Sequence, residues 1–432
     1  MIAAAVKELD PALVRKAAQL DSEDELAEFR AEFYLDAQTV YLDGNSLGPL
    51  SRGAEAALLE CLDAWKTRGI EGWTEGEAPW FFLASALAAQ TASLIGAAAD
   101  EVVVTNSTTV NLHQLLATLF APGGDRSQIL VDALAFPSDL YAIRSHLRLR
   151  GIDPRRHLVL VPSRNGLTLE EADIVAAMTE RIALAVLPAV LYRSGQCLDM
   201  AGLTTEALRR GIRIGFDCSH SIGAVPHALD AWGVDFAFWC GYKYLNGGPG
   251  AAGGLYLNRR HFGREPGLAG WFSSDQARQF DMTSELIPAV DAGAMQIGTP
   301  NILSMAPLRG ALSLIQRAGL SRMRRKSLAL TGFLMELVDR ELPAGDVEIV
   351  SPREAQRRGG HVTLRSAEAA RIGKALRAEG VVPDHRPPDL VRLAPAPLYN
   401  TFRDCLMAVG ALKRILKARS YEQIPEGRAM VP

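Results

Sequence analysis

Residues 212–250 read IRIGFDCSHSIGAVPHALDAWGVDFAFWCGYKYLNGGPG. Two short apolar runs, Ile212–Asp217 and Phe236–Gly241, each lead straight into reactive side chains. The first ends in Asp217-Cys218-Ser219-His220 and the second in Gly241-Tyr242-Lys243-Tyr244-Leu245-Asn246. Runs of this length, bounded by polar and glycine-rich stretches, predict buried strands. Outward from them, similar runs at Val102–Thr105, Ile129–Asp132, His157–Val161, Ile182–Pro188 and Gly254–Leu257 alternate with helical stretches. That alternation predicts an α/β fold: a mostly parallel seven-stranded sheet with helices on both faces. In such sheets ligands lie beyond the carboxyl ends of the strands, so the chemistry should gather just after these runs.

The flanks read differently. Residues 1–35 set Leu9, Leu13, Leu20, Leu26 and Phe29 among charges, an amphipathic pattern expected to form an N-terminal helical arm over 1–40. The stretch YLDGNSLGP (41–49) breaks that pattern with two glycines and a proline and predicts an ordered loop opening a large domain, 41–305. Beyond Pro300 a long helical pattern runs from about Ala306 to Leu342, followed by strand-like pieces at Val347–Val350, His361–Leu364 and Leu390–Leu393. A smaller α+β C-terminal domain, 306–432, is expected there.

Lys plus Arg number 46 against 49 Asp plus Glu, a formal net charge of −3, so neither nucleic acid nor an anionic membrane is an expected partner. The cysteines Cys61, Cys197, Cys218, Cys240 and Cys405 are scattered, odd in number and form no C-x-x-C pair, which fits neither a disulfide framework nor a zinc site and points to a reducing cytoplasm. The start, MIAAAVKELD, has too short an apolar run for a secretory signal, and the most apolar stretch, Ile182–Leu191, is too short to span a bilayer.

Four groups fall at predicted strand ends. Asn106-Ser107-Thr108-Thr109 opens a Leu-rich helix, where hydroxyls and backbone N–H groups can hold a phosphate; an ordinary helix cap is the alternative. Phe136-Pro137-Ser138-Asp139 offers an aromatic to stack on a flat ring, or a buried loop aromatic. Asp217 can pair with a cation, such as a pyridinium nitrogen that it would keep protonated, or cap the next helix; His220 orients it or only packs. Lys243, between two tyrosines at a buried strand end, stands where burial can lower its pKa as a Schiff-base amine requires, although most lysines are solvated surface charges. Gly248-Pro249-Gly250-Ala251-Ala252-Gly253 matches G-x-G-x-x-G but leads into a strand, not a helix, so it reads as a turn holding the lysine loop and not as a dinucleotide site.

An acid at one strand end, a lysine at the next and a phosphate-like loop upstream is the layout of the pyridoxal 5'-phosphate (PLP) enzymes typified by aspartate aminotransferase. Within that group the chain resembles the kynureninases, from residue 40 onward. The matching stretches include YLDGNSLGP (41–49), TVNLH (109–113), AFPSD (135–139), FDCSHSIGAVP (216–226), WGVDFAFWCGYKYLNGGPG (232–250), GWF (270–272), GTPNIL (298–303), MRRKSLALT (323–331) and RLAPAPLYNTF (392–402). The resemblance implies fold type I and cleavage of L-kynurenine to anthranilate and L-alanine. It also implies a soluble cytoplasmic homodimer with shared active sites, serving tryptophan catabolism or NAD biosynthesis. It assigns Lys243 as the Schiff-base lysine, Asp217 to the pyridine nitrogen with His220 beside it, and Thr108 and Thr109 to the phosphate. Phe136 would stack on the ring with Asp139 near its edge, and Tyr242 would touch the phosphate and shuttle protons. Trp271 and Thr299 would reach the phosphate from the second subunit, and Arg392 would bind the substrate α-carboxylate. Positions that set the choice between kynurenine and 3-hydroxykynurenine in the family fall on Trp73 and Thr299, with Gly298 beside the latter, and imply a preference for the unhydroxylated substrate. The chain departs from the family at Ser273-Ser274 after GWF and at Pro188. The competing readings are another PLP enzyme of the same fold, a cysteine desulfurase or an aminotransferase, or a relative acting on a modified kynurenine. A desulfurase needs a cysteine in a mobile loop, and neither Cys240 nor Cys405 is placed for that.

Overall fold

The structure is a computed structural model that describes residues 6–425; residues 1–5 of the expected arm and 426–432 of the expected C-terminal domain lie outside the described residues. The chain divides into two compact units. One comprises Gly53–Tyr192 and Leu198–Gln316; the other comprises the chain up to Arg52, Arg193–Cys197 and the chain from Arg317.

The first unit is built on seven strands: β1 (Val102–Val104), β2 (Gln128–Asp132), β3 (Leu158–Val161), β4 (Ile182–Pro188), β5 (Arg213–Asp217), β6 (Phe236–Trp239) and β7 (Gly254–Leu257). Their order in the sheet is β1-β7-β6-β5-β4-β2-β3. Only β7 runs antiparallel to its neighbours, so the mostly parallel seven-stranded sheet expected from the sequence is what the chain forms. All seven residues of β4 are buried, as a strand covered on both faces requires. Helix Thr108–Leu119 shows how the faces are covered. Leu112, Leu115, Leu116 and Leu119, spaced three and four apart, pack with Ile129, Val131, Phe236 and Phe238. Gly215 sits inside β5 because a Cβ there would lie 2.1 Å from the Phe236 ring.

The second unit holds a four-stranded antiparallel sheet: β8 (Glu348–Ile349), β9 (Val362–Arg365), β10 (Asp384–Arg386) and β11 (Leu390–Leu393), in the order β10-β11-β9-β8. Helices Leu320–Glu341, Ala369–Ala378 and Phe402–Ala418 share one core with it. The N-terminal amphipathic pattern yields helix Pro11–Ser22, whose Leu13 and Ala17 enter the same core. Asp21 then accepts from the backbone N–H groups of Phe402 and Arg403 at 2.7 and 3.0 Å, satisfying donors at that helix start. The long helical segment expected over Ala306–Leu342 is two helices, Ile302–Ala318 and Leu320–Glu341. They part at Gly319, whose φ of +77° lies in the left-handed region that ends helices. Among the described residues no helix is long and apolar enough to cross a membrane.

Candidate active site

Strand ends bring the lysine and its neighbours together in the first unit. Lys243 follows β6 in a loop, and its Nζ lies 2.8 Å from His220 Nε2 and 5.9 Å from the centre of the Phe136 ring. His220 is carried by the turn after β5, and Phe136 precedes helix Pro137–Leu149 after β2. Asp217 closes β5, half-buried, and its Oδ1 accepts from the Ser219 N–H at 2.8 Å. Asp139, in the first turn of the Phe136 helix, is buried. Burial and then the nearby Asp217 charge push its carboxyl well above the ordinary range, and the Lys243 cation opposes them. Thr108 and Thr109 occupy the first turn of their helix, while Ser107 takes the cap and accepts from the Val110 N–H at 3.5 Å. Ser107 thus caps the helix, and Thr108 and Thr109 stand in its first turn at the positive helix end.

The loop around Lys243 is tightly fitted. A Cβ on Gly241 would lie 2.3 Å from the Ala252 carbonyl oxygen, and one on Gly253 would lie 2.5 Å from that of Trp239 and 3.3 Å from the Thr108 nitrogen. Glycines at the two ends of the loop thus allow the lysine, the β7 start and the threonine helix to approach. Tyr242 is part-buried beside Lys243. Together a cation, a stackable aromatic, a strand-end carboxylate and a phosphate-type helix start fit a flat, phosphorylated ring.

Three participants carried no assigned role in the sequence. Tyr192, just past the β4 end, stands edge-on to Phe136 at 5.2 Å and tilts over His220 at 6.4 Å. Ser219 Oγ is buried without a hydrogen-bond partner among the described residues. Asp132 ends β2 fully buried, and its Oδ1 accepts from the Leu134 N–H at 2.8 Å. The rule that ligands collect at strand ends would have flagged Tyr192 and Asp132.

Burial raises Asp132 from 3.8 to about 7. The folded state thus binds this proton more tightly than the unfolded chain. The resulting stability is whole below 3.8 and is lost as pH rises through about 7. Asp132→Asn is expected to flatten the melting-temperature profile across that window, and profiles parallel to wild type would contradict it.

Of the other predicted site residues in this unit, Trp73 is half-buried, and Trp271, Gly298 and Thr299 are exposed. Trp73 packs edge-on against Trp80 at 5.8 Å and tilts against Phe272 at 6.3 Å. Gly72 permits that packing, since its Cβ would lie 2.6 Å from the Trp80 ring. Trp73 also lines a surface hollow of about 500 Å³ with Trp65, Gly250, Pro300 and Leu303. The Phe272 N–H donates to the Ile297 carbonyl at 3.2 Å, which sets Trp271 and Gly298-Thr299 on either side of that link. Trp271 is 48% exposed, and Gly298 and Thr299 are exposed.

Arg392 stands in the second unit, on β11, fully buried. Its Nε donates to Asp384 Oδ2 at 2.5 Å, its Nη2 donates to the same oxygen, and Nη2 reaches Ser46 Oγ at 3.3 Å. With its amide oxygen turned toward the guanidinium, Asn45 accepts at 3.2 Å. The 41–49 stretch is therefore the second wall of the arginine site. Its Gly44 is required because a Cβ would lie 1.8 Å from the Tyr399 hydroxyl. Asp43, beside Ser46, is pushed up to about 6 by burial.

The fold is shared with solved structures of low sequence identity. A cysteine desulfurase from Thermococcus onnurineus superposes with a TM-score of 0.77 at 19% identity, over 90% of this chain and 98% of that one. A cysteine desulfurase from Escherichia coli gives 0.75 at 18%, over 91% and 99%. The class is thus the α/β architecture of those enzymes, with a lysine and an acid at adjacent strand ends. Residues 323–412 match the family model described as the kynureninase C-terminal domain. A kynureninase of Bacillus cereus is 55% identical over 96% of this chain and 97% of its own length. One of Geobacillus thermodenitrificans is 53% identical over 98% and 99%. The chain belongs to the kynureninase family.

Proposed function

We propose that this chain is a PLP-dependent hydrolase that cleaves the Cβ–Cγ bond of L-kynurenine, giving anthranilate and L-alanine. The observation that carries the reading is the Lys243–His220 contact of 2.8 Å beside Phe136, at the strand ends of a member of this family. Bound PLP supplies an electron sink for the charge that develops at the substrate Cα. Lys243 holds the cofactor and moves the Cα proton, with His220 Nε2 within reach to share it. Asp217 keeps a proton on the ring nitrogen, Phe136 stacks on the ring and Asp139 stands near its edge. Thr108 and Thr109 hold the phosphate at their helix start, with Tyr242 touching it and moving protons. Arg392 binds the α-carboxylate. Hydrolysis then adds water across the Cβ–Cγ bond, oxygen to the aryl carbonyl carbon and a proton to Cβ.

Trp271 and Thr299 serve the phosphate of a second copy, making the enzyme a homodimer. Their exposure supports this, as does that of Trp65 and Leu303, which are 59% and 42% exposed beside Trp73. The enzyme works in the cytoplasm, in tryptophan catabolism or NAD biosynthesis. A desulfurase activity finds no support in the cysteines, since all five are buried.

L-kynurenine is the expected substrate over 3-hydroxykynurenine. Trp73 is packed against Trp80 and Phe272 and offers ring area but no acceptor to an extra hydroxyl. Burying that hydroxyl unpaired costs about 1–3 kcal/mol, so kcat/KM should favour L-kynurenine by roughly tenfold. Trp73→His with Thr299→Asn is expected to narrow the ratio, with alanine and the aromatic product both measured. Equal or reversed preference in the wild type would defeat the reading of the pocket, and an unshifted ratio in the double variant would remove these positions from it.

A further inference from the structure

The arginine site holds more than one guanidinium. Asp384 and Arg392 are direct partners across the β10–β11 ladder, and Arg386, two residues on from Asp384, shares its face. Asp384 Oδ2 accepts from both, at 3.1 Å from Arg386 Nε. Ser46 Oγ likewise accepts from both Nη2 groups, at 3.2 Å from Arg386 and 3.3 Å from Arg392. The side chains of Arg392 and Asp384 are 0% and 1% exposed. Asp384 Oδ1 has no partner among the described residues, an arrangement tolerated where cations hold the other oxygen. Asp43 and Arg377 lie 3.8 Å apart at the edge of the group, where 44% of the Arg377 side chain is exposed.

We propose that Asp384 is a positioning residue that presents Arg386 and Arg392 together to the substrate's α-carboxylate; the inference rests on Arg392 being the residue that meets that carboxylate. Asp384 fixes both guanidiniums before the carboxylate arrives, so ordering them costs less on binding.

The test compares L-kynurenine with its α-amide, which lacks the charge, on the cofactor-loaded enzyme. Asp384→Asn is expected to raise KM for the acid roughly tenfold or more, with kcat moved less and the amide hardly affected. Asp384→Glu should recover part of the loss. Arg386→Gln should shift the acid-to-amide ratio of kcat/KM in the same direction, and it carries the test alone if circular dichroism shows Asp384→Asn unfolded. An unaltered ratio in a folded Asp384→Asn or in Arg386→Gln overturns the proposal. Arg392→Ala separates the two levels. If it leaves the ratio unaltered, the carboxylate reading of Arg392 itself fails. If it collapses the ratio while the other variants do not, only the positioning role fails.

Discussion

Lys243→Ala is expected to abolish turnover of L-kynurenine while leaving circular dichroism and melting temperature near wild type. The side chain lies in a loop after β6 and fills no core position, so the sheet does not depend on it. Its chemistry is irreplaceable locally. Among the neighbours described, His220 sits at 2.8 Å and Phe136 at 5.9 Å, and neither is an amine. Loss of a positioned proton carrier alone costs about a hundred- to ten-thousandfold, and loss of the attachment point adds to that. The variant also removes the cation that opposes the upward shift of Asp139, so that carboxyl should hold its proton more firmly still. Near wild-type turnover, or a borohydride-reducible PLP adduct in the variant, would remove Lys243 from its role.

Asp217→Asn is expected to lower kcat by roughly a hundredfold or more, because a neutral amide does not hold a proton on a ring nitrogen. The substitution isolates charge from structure. Asp217 Oδ1 accepts from the Ser219 N–H at 2.8 Å, and an asparagine oxygen accepts that bond equally well. The turn carrying His220 should therefore survive, and the absorbance of the bound cofactor should report the altered ring protonation. A kcat close to wild type would contradict the assignment.

The large sheet was legible because each strand is a short buried apolar run punctuated by glycine, proline or charge. Strand β4 even keeps its expected limits, Ile182–Pro188. The residues grouped around Lys243 followed from one topological rule about strand ends. What stayed hidden depends on register and packing. Strand β10 reads Asp384-His385-Arg386, a composition that strands disfavour, so nothing local announces that Asp384 faces Arg392. Helix continuity across Gly319 failed because one glycine at positive φ outweighs the apolar periodicity on either side. The 41–49 stretch was visible as an ordered loop, but its partnership with Arg392 and Tyr399 requires chain segments some 350 residues apart to meet. Trp73 was singled out by the family resemblance, whereas its packing on Trp80 and Phe272 is a property of the fold.

The most direct test of hydrolytic cleavage is turnover of L-kynurenine in heavy-oxygen water, with every product weighed by mass spectrometry. Equimolar anthranilate and L-alanine are expected, the heavy oxygen in the anthranilate carboxyl group and none in alanine. Loss of the substrate amine to a keto acid with no anthranilate formed, or anthranilate without label from water, would contradict the account.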